Sequence, residues 1–287
     1  MLSQKALARL RTEKITAGSC LEYVLNCFKE SLFNILRFRK LAVSITRSIL
    51  IFWCLSTVGI VSAVYGFESG EWVFYTVINS LSSVAVLFFA LMHISLMRDA
   101  AGIVNKTLGV PNMLSLSRLL LIAPVVIFLH QDRIAPAIIC YIAGAATDII
   151  DGAAARARNE ITRFGVMVDP AADVTATASI FILLTYKHVI PGWVLFILLL
   201  RYIHLVVGSV LIFFAAGPIN FRATAAGKIV GILQASAVII ILLSMLGGGL
   251  LLSAIGKVLF PALGMGFFMV IVLQTLIGWK LLKTKAG

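Results

Sequence analysis

Asp148, Asp151, Asp169 and Asp173 are the residues of this chain best equipped for chemistry. They lie in TDIIDGAAARARNEITRFGVMVDPAAD, residues 147–173, which is flanked on both sides by apolar sequence. From Ile161 to the C-terminus Asp169 and Asp173 are the only acids. An ionised carboxylate at membrane depth costs at least ~2.5 kcal/mol, so by default it marks a functional site with a partner. Four carboxylates gathered together oppose one another's ionisation unless cations neutralise them, and divalent metal is the simplest neutraliser. Oxygen-only ligands suit Mg²⁺, Mn²⁺ or Ca²⁺ rather than zinc. Two such ions can clamp the attacking and leaving oxygens of a displacement at phosphorus.

The spacing says how these acids are presented. Asp148 and Asp151 are three residues apart and Asp169 and Asp173 four apart, so each pair shares one face of a helix. A short intervening loop makes the two helices antiparallel neighbours with both pairs at the same end. Small residues crowd each helix: Ala143–Ala146 and Gly152–Ala155 on one, Ala171, Ala172, Ala176 and Ala178 on the other. They allow close helix approach and leave room for a ligand. Gly152 weakens a helix interior by ~1 kcal/mol and needs a reason to be there. Arg156, one turn on, is placed to bind an anion beside the metals.

The elements that must position these groups are membrane helices. Of 287 residues 61% are hydrophobic and 13% charged, which excludes an ordinary soluble domain and predicts an all-α polytopic membrane protein. Apolar runs near 43–65, 72–96, 113–130, 134–155, 165–186, 191–214, 227–248 and 258–281 each approach the ~20 residues that cross a bilayer. The polar start of the 113–130 run is expected in the interface. Nine Lys or Arg precede residue 48, and further bases recur in alternate loops, which predicts eight spans with both termini and all four aspartates on the cytoplasmic side. Residues 1–42 read as a basic, amphipathic interfacial segment. Residues 43–97 read as two additional spans and 98–287 as the chemical core; residues 1–97 as a whole are expected to serve membrane placement, dimer packing or lipid access and to take no part in catalysis. No signal peptide is expected, because the first sustained apolar run begins near Leu41. The net charge of +12 follows from loop bases that attract anionic lipid and phosphorylated substrates, not nucleic acid. Cys20, Cys27, Cys54 and Cys140 have no metal-ligand spacing, and Cys54 and Cys140 read as small buried hydrophobes.

The run Asp148-x-x-Asp151-Gly152-x-x-Ala155-Arg156, eight residues, Gly165, three residues, Asp169, three residues, Asp173 resembles the full signature of the CDP-alcohol phosphotransferases. The resemblance covers roughly residues 105–285 and implies that family's six-helix core, here preceded by two extra helices. It implies transfer of a phosphatidyl group from CDP-diacylglycerol to an acceptor hydroxyl with release of CMP. It further implies Mg²⁺ or Mn²⁺, two ions, held by Asp148, Asp151, Asp169 and Asp173, with Asp173 also the general base. Asp148, Gly152, Ala155, Arg156 and Gly165 would line the CDP pocket. A homodimer in an inner or plasma membrane of bacterial type is the expected setting.

Pro111, Asn112, Ser115 and Arg118, with FGVMVDPAAD at 164–173, resemble the phosphatidylglycerophosphate and cardiolipin synthase branch. Val174 departs from it where a lysine often follows the last aspartate, and so do the two extra spans. Arg201 lies in the apolar run LFILLLRYIHLVV and needs an anion, a path to water or an aspartate partner. His204 beside it reads as structural. Arg118, Arg201, Arg222 and Lys228 together favour an acceptor that carries a phosphate. Glycerol 3-phosphate is the first expectation; inositol phosphate, or another phosphorylated or lipid alcohol such as phosphatidylglycerol, is the alternative. A cation-coupled transporter and an inactive scaffold are the readings from other classes.

Overall fold

A computed structural model of the chain describes residues 17–64, 71–98, 102–158, 162–216, 225–248 and 250–286, with the side chains of 17, 19, 20, 23, 24, 63, 64, 71, 149, 151–158, 213–216, 250 and 281–286 outside that description. The described residues form nine α-helices: α1 (Ala17–Arg37), α2 (Arg39–Val64), α3 (Glu71–Met92), α4 (Val110–His130), α5 (Ile134–Arg158), α6 (Arg163–Tyr186), α7 (Gly192–Ala216), α8 (Ala225–Leu246) and α9 (Leu250–Ala286). A 3₁₀ turn, Ile94–Leu96, follows α3, and an isolated bridge pairs Arg98 with Val104. The chain is an all-α polytopic membrane protein. Seven of the described helices, α2–α4 and α6–α9, are long and apolar enough to cross a membrane. The expected span at 134–155 is helical throughout, within α5, and its described apolar stretch runs Ile134–Asp148.

The chain divides into two compact units. The first holds residues up to 128 and 139–176. Its core joins Leu41, Ile45 and Ile49 of α2 and Val86 and Ala90 of α3 to Leu116 and Leu120 of α4 and Phe164 and Val168 of α6. The i, i+4 repeats of these positions put each set on one helix face. Polar groups add specificity where apolar contact alone distinguishes poorly between protein and lipid. The Asn79 amide donates to Ser56 Oγ at 2.9 Å and Thr57 Oγ1 at 3.1 Å, and Trp53 Nε1 donates to Ser80 Oγ at 3.0 Å. Ser44 Oγ accepts the Leu108 N–H at 3.1 Å and holds the connection into α4. The two N-terminal membrane helices therefore share a core with α4 and with α6, the helix that carries Asp169 and Asp173.

The second unit holds residues 129–138 and 177–287. Phe181 of α6 meets Phe267 of α9 at 6.4 Å between ring centres, and Leu198, Ile241 and Leu263 are also fully buried in this unit. Gly264 lets α9 close on Trp193: a Cβ there would stand 2.5 Å from the indole. Lys187 Nζ reaches Asp132 Oδ1 at 2.7 Å, so the turn after α4 and the turn after α6 lie at one end of this unit, as an alternating helical hairpin requires.

Candidate active site

Three of the four signature carboxylates converge on one cation in the first unit. Arg118 Nη2 lies 2.7 Å from Asp148 Oδ1 and 3.7 Å from Asp169 Oδ1, and Arg118 Nη1 lies 3.3 Å from Asp173 Oδ1. The arginine is buried while the acids are open: side-chain exposure is 6% for Arg118 against 53%, 41% and 65% for Asp148, Asp169 and Asp173. A buried charge is tolerated only when paired, and here it organises acids from two helices around a third. The accessible side of the cluster is then lined by carboxylate oxygen. Gly144, facing α4 from α5, leaves room for the arginine stem; a Cβ there would reach Arg118 Cγ at 4.0 Å.

The start of α4 fixes the start of α6. Thr162 is the N-cap of α6 and its Oγ1 accepts the Gly165 N–H at 3.1 Å, the bond that a capping hydroxyl makes to the third helical residue. The same hydroxyl donates to Asn112 Oδ1 at 2.6 Å. Asn112, Ser115, Arg118 and Thr162 are all buried, so the polar opening of α4 faces protein. It is internal because each group has a protein partner: Thr162, the Pro111 carbonyl and the aspartates. Gly165, expected in the CDP pocket, takes part in this cap, and a Cβ on it would stand 3.6 Å from both Asn112 Oδ1 and Thr162 Oγ1. Pro170 sits inside α6 between the two aspartates and gives no N–H to the turn before it.

Loss of that clamp has an expected signature. Thr162→Val removes the cap, worth about 1 kcal/mol, and leaves the buried Asn112 amide short of a partner. Lower thermal stability and about ten- to a hundredfold lower turnover should follow from the displaced aspartates. Thr162→Ser keeps the hydroxyl and should keep both. Equal turnover in the Val and Ser variants would remove the positioning role.

The other expected residues fall as follows. Asp151, Gly152, Ala155 and Arg156 lie on α5 by backbone, and their side chains are outside the described residues. Arg222 is likewise outside them. Lys228 is exposed on α8 in the second unit. Arg201 of α7 is held within the second unit, among the described residues without a carboxylate partner. Its Nη1 donates to Gln234 Oε1 at 2.9 Å, and the guanidinium lies 5.6 Å from the Tyr202 ring centre and 5.5 Å from that of Phe267. Gln234 passes the interaction on, donating to Thr177 Oγ1 at 2.8 Å and Tyr202 Oη at 3.3 Å. A polar amide and two aromatic faces thus support an intramembrane cation. His204 Nε2 pairs with Thr275 Oγ1 at 3.1 Å, in keeping with a structural part. Gln234 and Thr162 were not singled out from sequence. Gln234 could have been noticed as a lone amide in an apolar helix, and Thr162 as a hydroxyl just ahead of one.

Among the described residues no group of three His, Cys, Asp or Glu is set to hold a metal ion; Asp148, Asp169 and Asp173 face Arg118 instead. The donor set nonetheless suits a hard divalent cation. Its carboxylates already converge on a positive charge and open to the outside, and oxygen is the only donor type present.

A family model described as CDP-alcohol phosphatidyltransferase matches residues 108–277. The chain is 36% identical over 107 residues to the CDP-diacylglycerol–glycerol-3-phosphate 3-phosphatidyltransferase of Aquifex aeolicus, covering 36% of this chain and 59% of that protein. It is 34% identical over 84 residues to the CDP-diacylglycerol–inositol 3-phosphatidyltransferase of Drosophila melanogaster, 29% of this chain and 37% of that one. To the cardiolipin synthase (CMP-forming) of Streptomyces coelicolor it is 32% identical over 106 residues, 34% and 48% of the two chains. The matched stretch thus spans between about a third and three-fifths of these relatives. No solved structure matches at a significant level.

Proposed function

The chain belongs to the CDP-alcohol phosphatidyltransferase family, and from that premise we propose that it transfers a phosphatidyl group from CDP-diacylglycerol to a phosphorylated alcohol, with glycerol 3-phosphate the first candidate. The observation that carries this reading is the convergence of Asp148, Asp169 and Asp173 on buried Arg118, inside the stretch that the family model covers. The acceptor oxygen attacks the phosphatidyl phosphorus, the bond to the CMP oxygen breaks, and the hydroxyl proton goes to a carboxylate. Asp173 is the proposed base, since it is the most open of the three located acids and can be reached by an entering alcohol. Asp148, Asp151, Asp169 and Asp173 would hold two divalent cations, Mg²⁺ or Mn²⁺. When bound, these cations neutralise the diphosphate and stabilise the departing CMP. Arg118 then serves as the fixed counter-charge that orients the acids. Asp148, Gly152, Ala155, Arg156 and Gly165 are assigned to the CDP moiety, Gly165 through the backbone start of α6.

Residues 98–287 are assigned as the transferase core, and 1–42 and 43–97 as its accessory segments. Both termini and the active site are placed on the cytoplasmic side of an inner or plasma membrane of bacterial type, and the working assembly is a homodimer. These placements rest on the charge alternation along the sequence and on the family.

The acceptor assignment rests on basic residues, with Arg201, Arg222 and Lys228 taking its phosphate. The Aquifex relative, named for glycerol 3-phosphate, supports it; the Drosophila relative, named for inositol, keeps an inositol-based acceptor as the second reading. A charge-assisted contact to phosphate contributes roughly 1.5–3 kcal/mol. Arg201→Ala should therefore lower kcat/KM for the acceptor about ten- to a hundredfold while changing the affinity for CDP-diacylglycerol much less. Arg201→Lys, which keeps the charge, should recover part of the loss. Equal losses for both substrates would mean that Arg201 serves only the Gln234 network. Turnover of unphosphorylated alcohols as efficient as that of glycerol 3-phosphate would end the phosphate assignment.

A further inference from the structure

We propose that the groove along α2 from Arg39 to Ile51 is a binding site for an anionic bilayer phospholipid, separate from the carboxylate cluster. The groove has a volume of about 510 Å³ and is lined by one continuous face of α1 and α2 with Leu91 of α3 beside it. Its lining combines charged and apolar side chains, with Val43 between the two arginines and Leu50 and Ile51 beyond them. Arg39 and Arg47 carry the charge, and Val43, Leu50 and Ile51 carry the apolar wall; no acidic residue lines it. No acid occurs from Arg37 to Val64, whereas Arg37, Arg39, Lys40 and Arg47 all fall at its start.

The depth of these groups selects the ligand. By length and composition, the stretch of α2 able to cross a membrane begins at Arg39. Arg47 lies two turns further, about 12 Å along the axis. The headgroup layer on one side of a bilayer is roughly 5–8 Å deep, so the two guanidinium groups bracket the boundary between headgroups and hydrocarbon. An occupant must offer anionic oxygen at that boundary and an alkyl chain below it. A phospholipid of net negative charge has that form, and juxtamembrane arginines attract such lipids. The neighbouring helix supports the placement. On α1, Leu21, Leu25, Phe28, Leu32 and Leu36 form an exposed stripe at helical spacing, yet α1 is not among the helices apolar enough to cross a membrane. A helix of that pattern lies in the interface with its apolar face in the acyl region, at the level where the groove opens.

Native mass spectrometry of the full-length protein released from nanodiscs tests this, with phosphatidylserine and phosphatidylcholine of matched acyl chains as probes. Phosphatidylserine carries the charge but no CDP group, and the arginine variants, which lie outside the carboxylate cluster, distinguish its binding in the groove from binding at the transferase site. The wild type should retain phosphatidylserine over phosphatidylcholine. Arg39→Gln with Arg47→Gln should cut that preference about twentyfold, and each alone about fivefold. These side chains are exposed, so the fold should be unaffected. Val43→Trp, which fills the groove without altering charge, should lower retention of both lipids. An unchanged preference in the double variant would overturn the proposal, as would a wild type that does not distinguish the two lipids. If Val43→Trp dissociates a dimer and leaves lipid retention intact, the groove is an interface between copies instead.

Discussion

Asp173→Asn is expected to reduce turnover by roughly 10²–10⁴-fold, the usual contribution of a positioned base, while leaving CDP-diacylglycerol binding largely intact. The substitution is nearly isosteric, and its Oδ1 can still accept from Arg118 Nη1, now 3.3 Å away, so the cluster should keep its shape. What is lost is the basic oxygen on the most accessible acid of the three. Titrating a non-hydrolysable CDP-lipid analogue against the variant, beside a turnover assay, separates the two effects. Near-normal turnover would place the base elsewhere.

Asp148 should behave differently. It makes the shortest contact to Arg118, 2.7 Å, and it heads the signature on α5. Asp148→Asn should weaken nucleotide binding and turnover together, because one carboxylate is removed from both the metal set and the counter-charge. Chelation of divalent metal should have the same double effect on the wild type and bring activity to background. Added Mg²⁺ or Mn²⁺ should restore it. Full activity in metal-free buffer, or an Asp148→Asn variant with unaltered CDP-lipid affinity, would contradict the assigned metal set. The effect of metal on the thermal unfolding of wild type and variant gives a readout that does not depend on turnover.

The two expectations differ because the site is built from three helices with different tasks. The acids were legible in the sequence, since charge in apolar sequence has few explanations and their i, i+3 and i, i+4 spacing fixes a shared face. The helices were legible for the same reason, to within a few residues: α7 begins at Gly192 against an expected 191, and α6 at Arg163 against 165. The exceptions have local causes. Helix α9 begins at Leu250, well before the expected 258, because LLLSAIG contains nothing that stops a helix once Gly248, at φ +77°, has ended the preceding turn. Lys257 is carried within the helix and not in a loop.

Long-range pairings were not legible. Arg118 precedes Asp148 by thirty positions, and no periodicity says that its guanidinium turns toward the acids; its expected place was beside the acceptor's phosphate. Asn112 and Thr162 are fifty residues apart and meet only because α4 and α6 share a core with α2 and α3. Arg201 was read as needing an anion, a path to water or an aspartate partner, and the partners found for it, Gln234 and two aromatic rings, come from three different helices. Hydrogen bonds between distant residues are set by tertiary packing, which hydrophobic pattern specifies only as a face.

The central claim is phosphatidyl transfer at the aspartate cluster, and the most direct measurement is CMP release by the purified full-length protein. CDP-diacylglycerol, Mg²⁺ or Mn²⁺ and glycerol 3-phosphate should give CMP and phosphatidyl product in equal amounts. Release should depend on the acceptor and be lost in Asp173→Asn. Folded, metal-supplied protein that releases no CMP with any acceptor, or that instead carries cations across vesicles in a manner dependent on the same aspartates, would contradict the account.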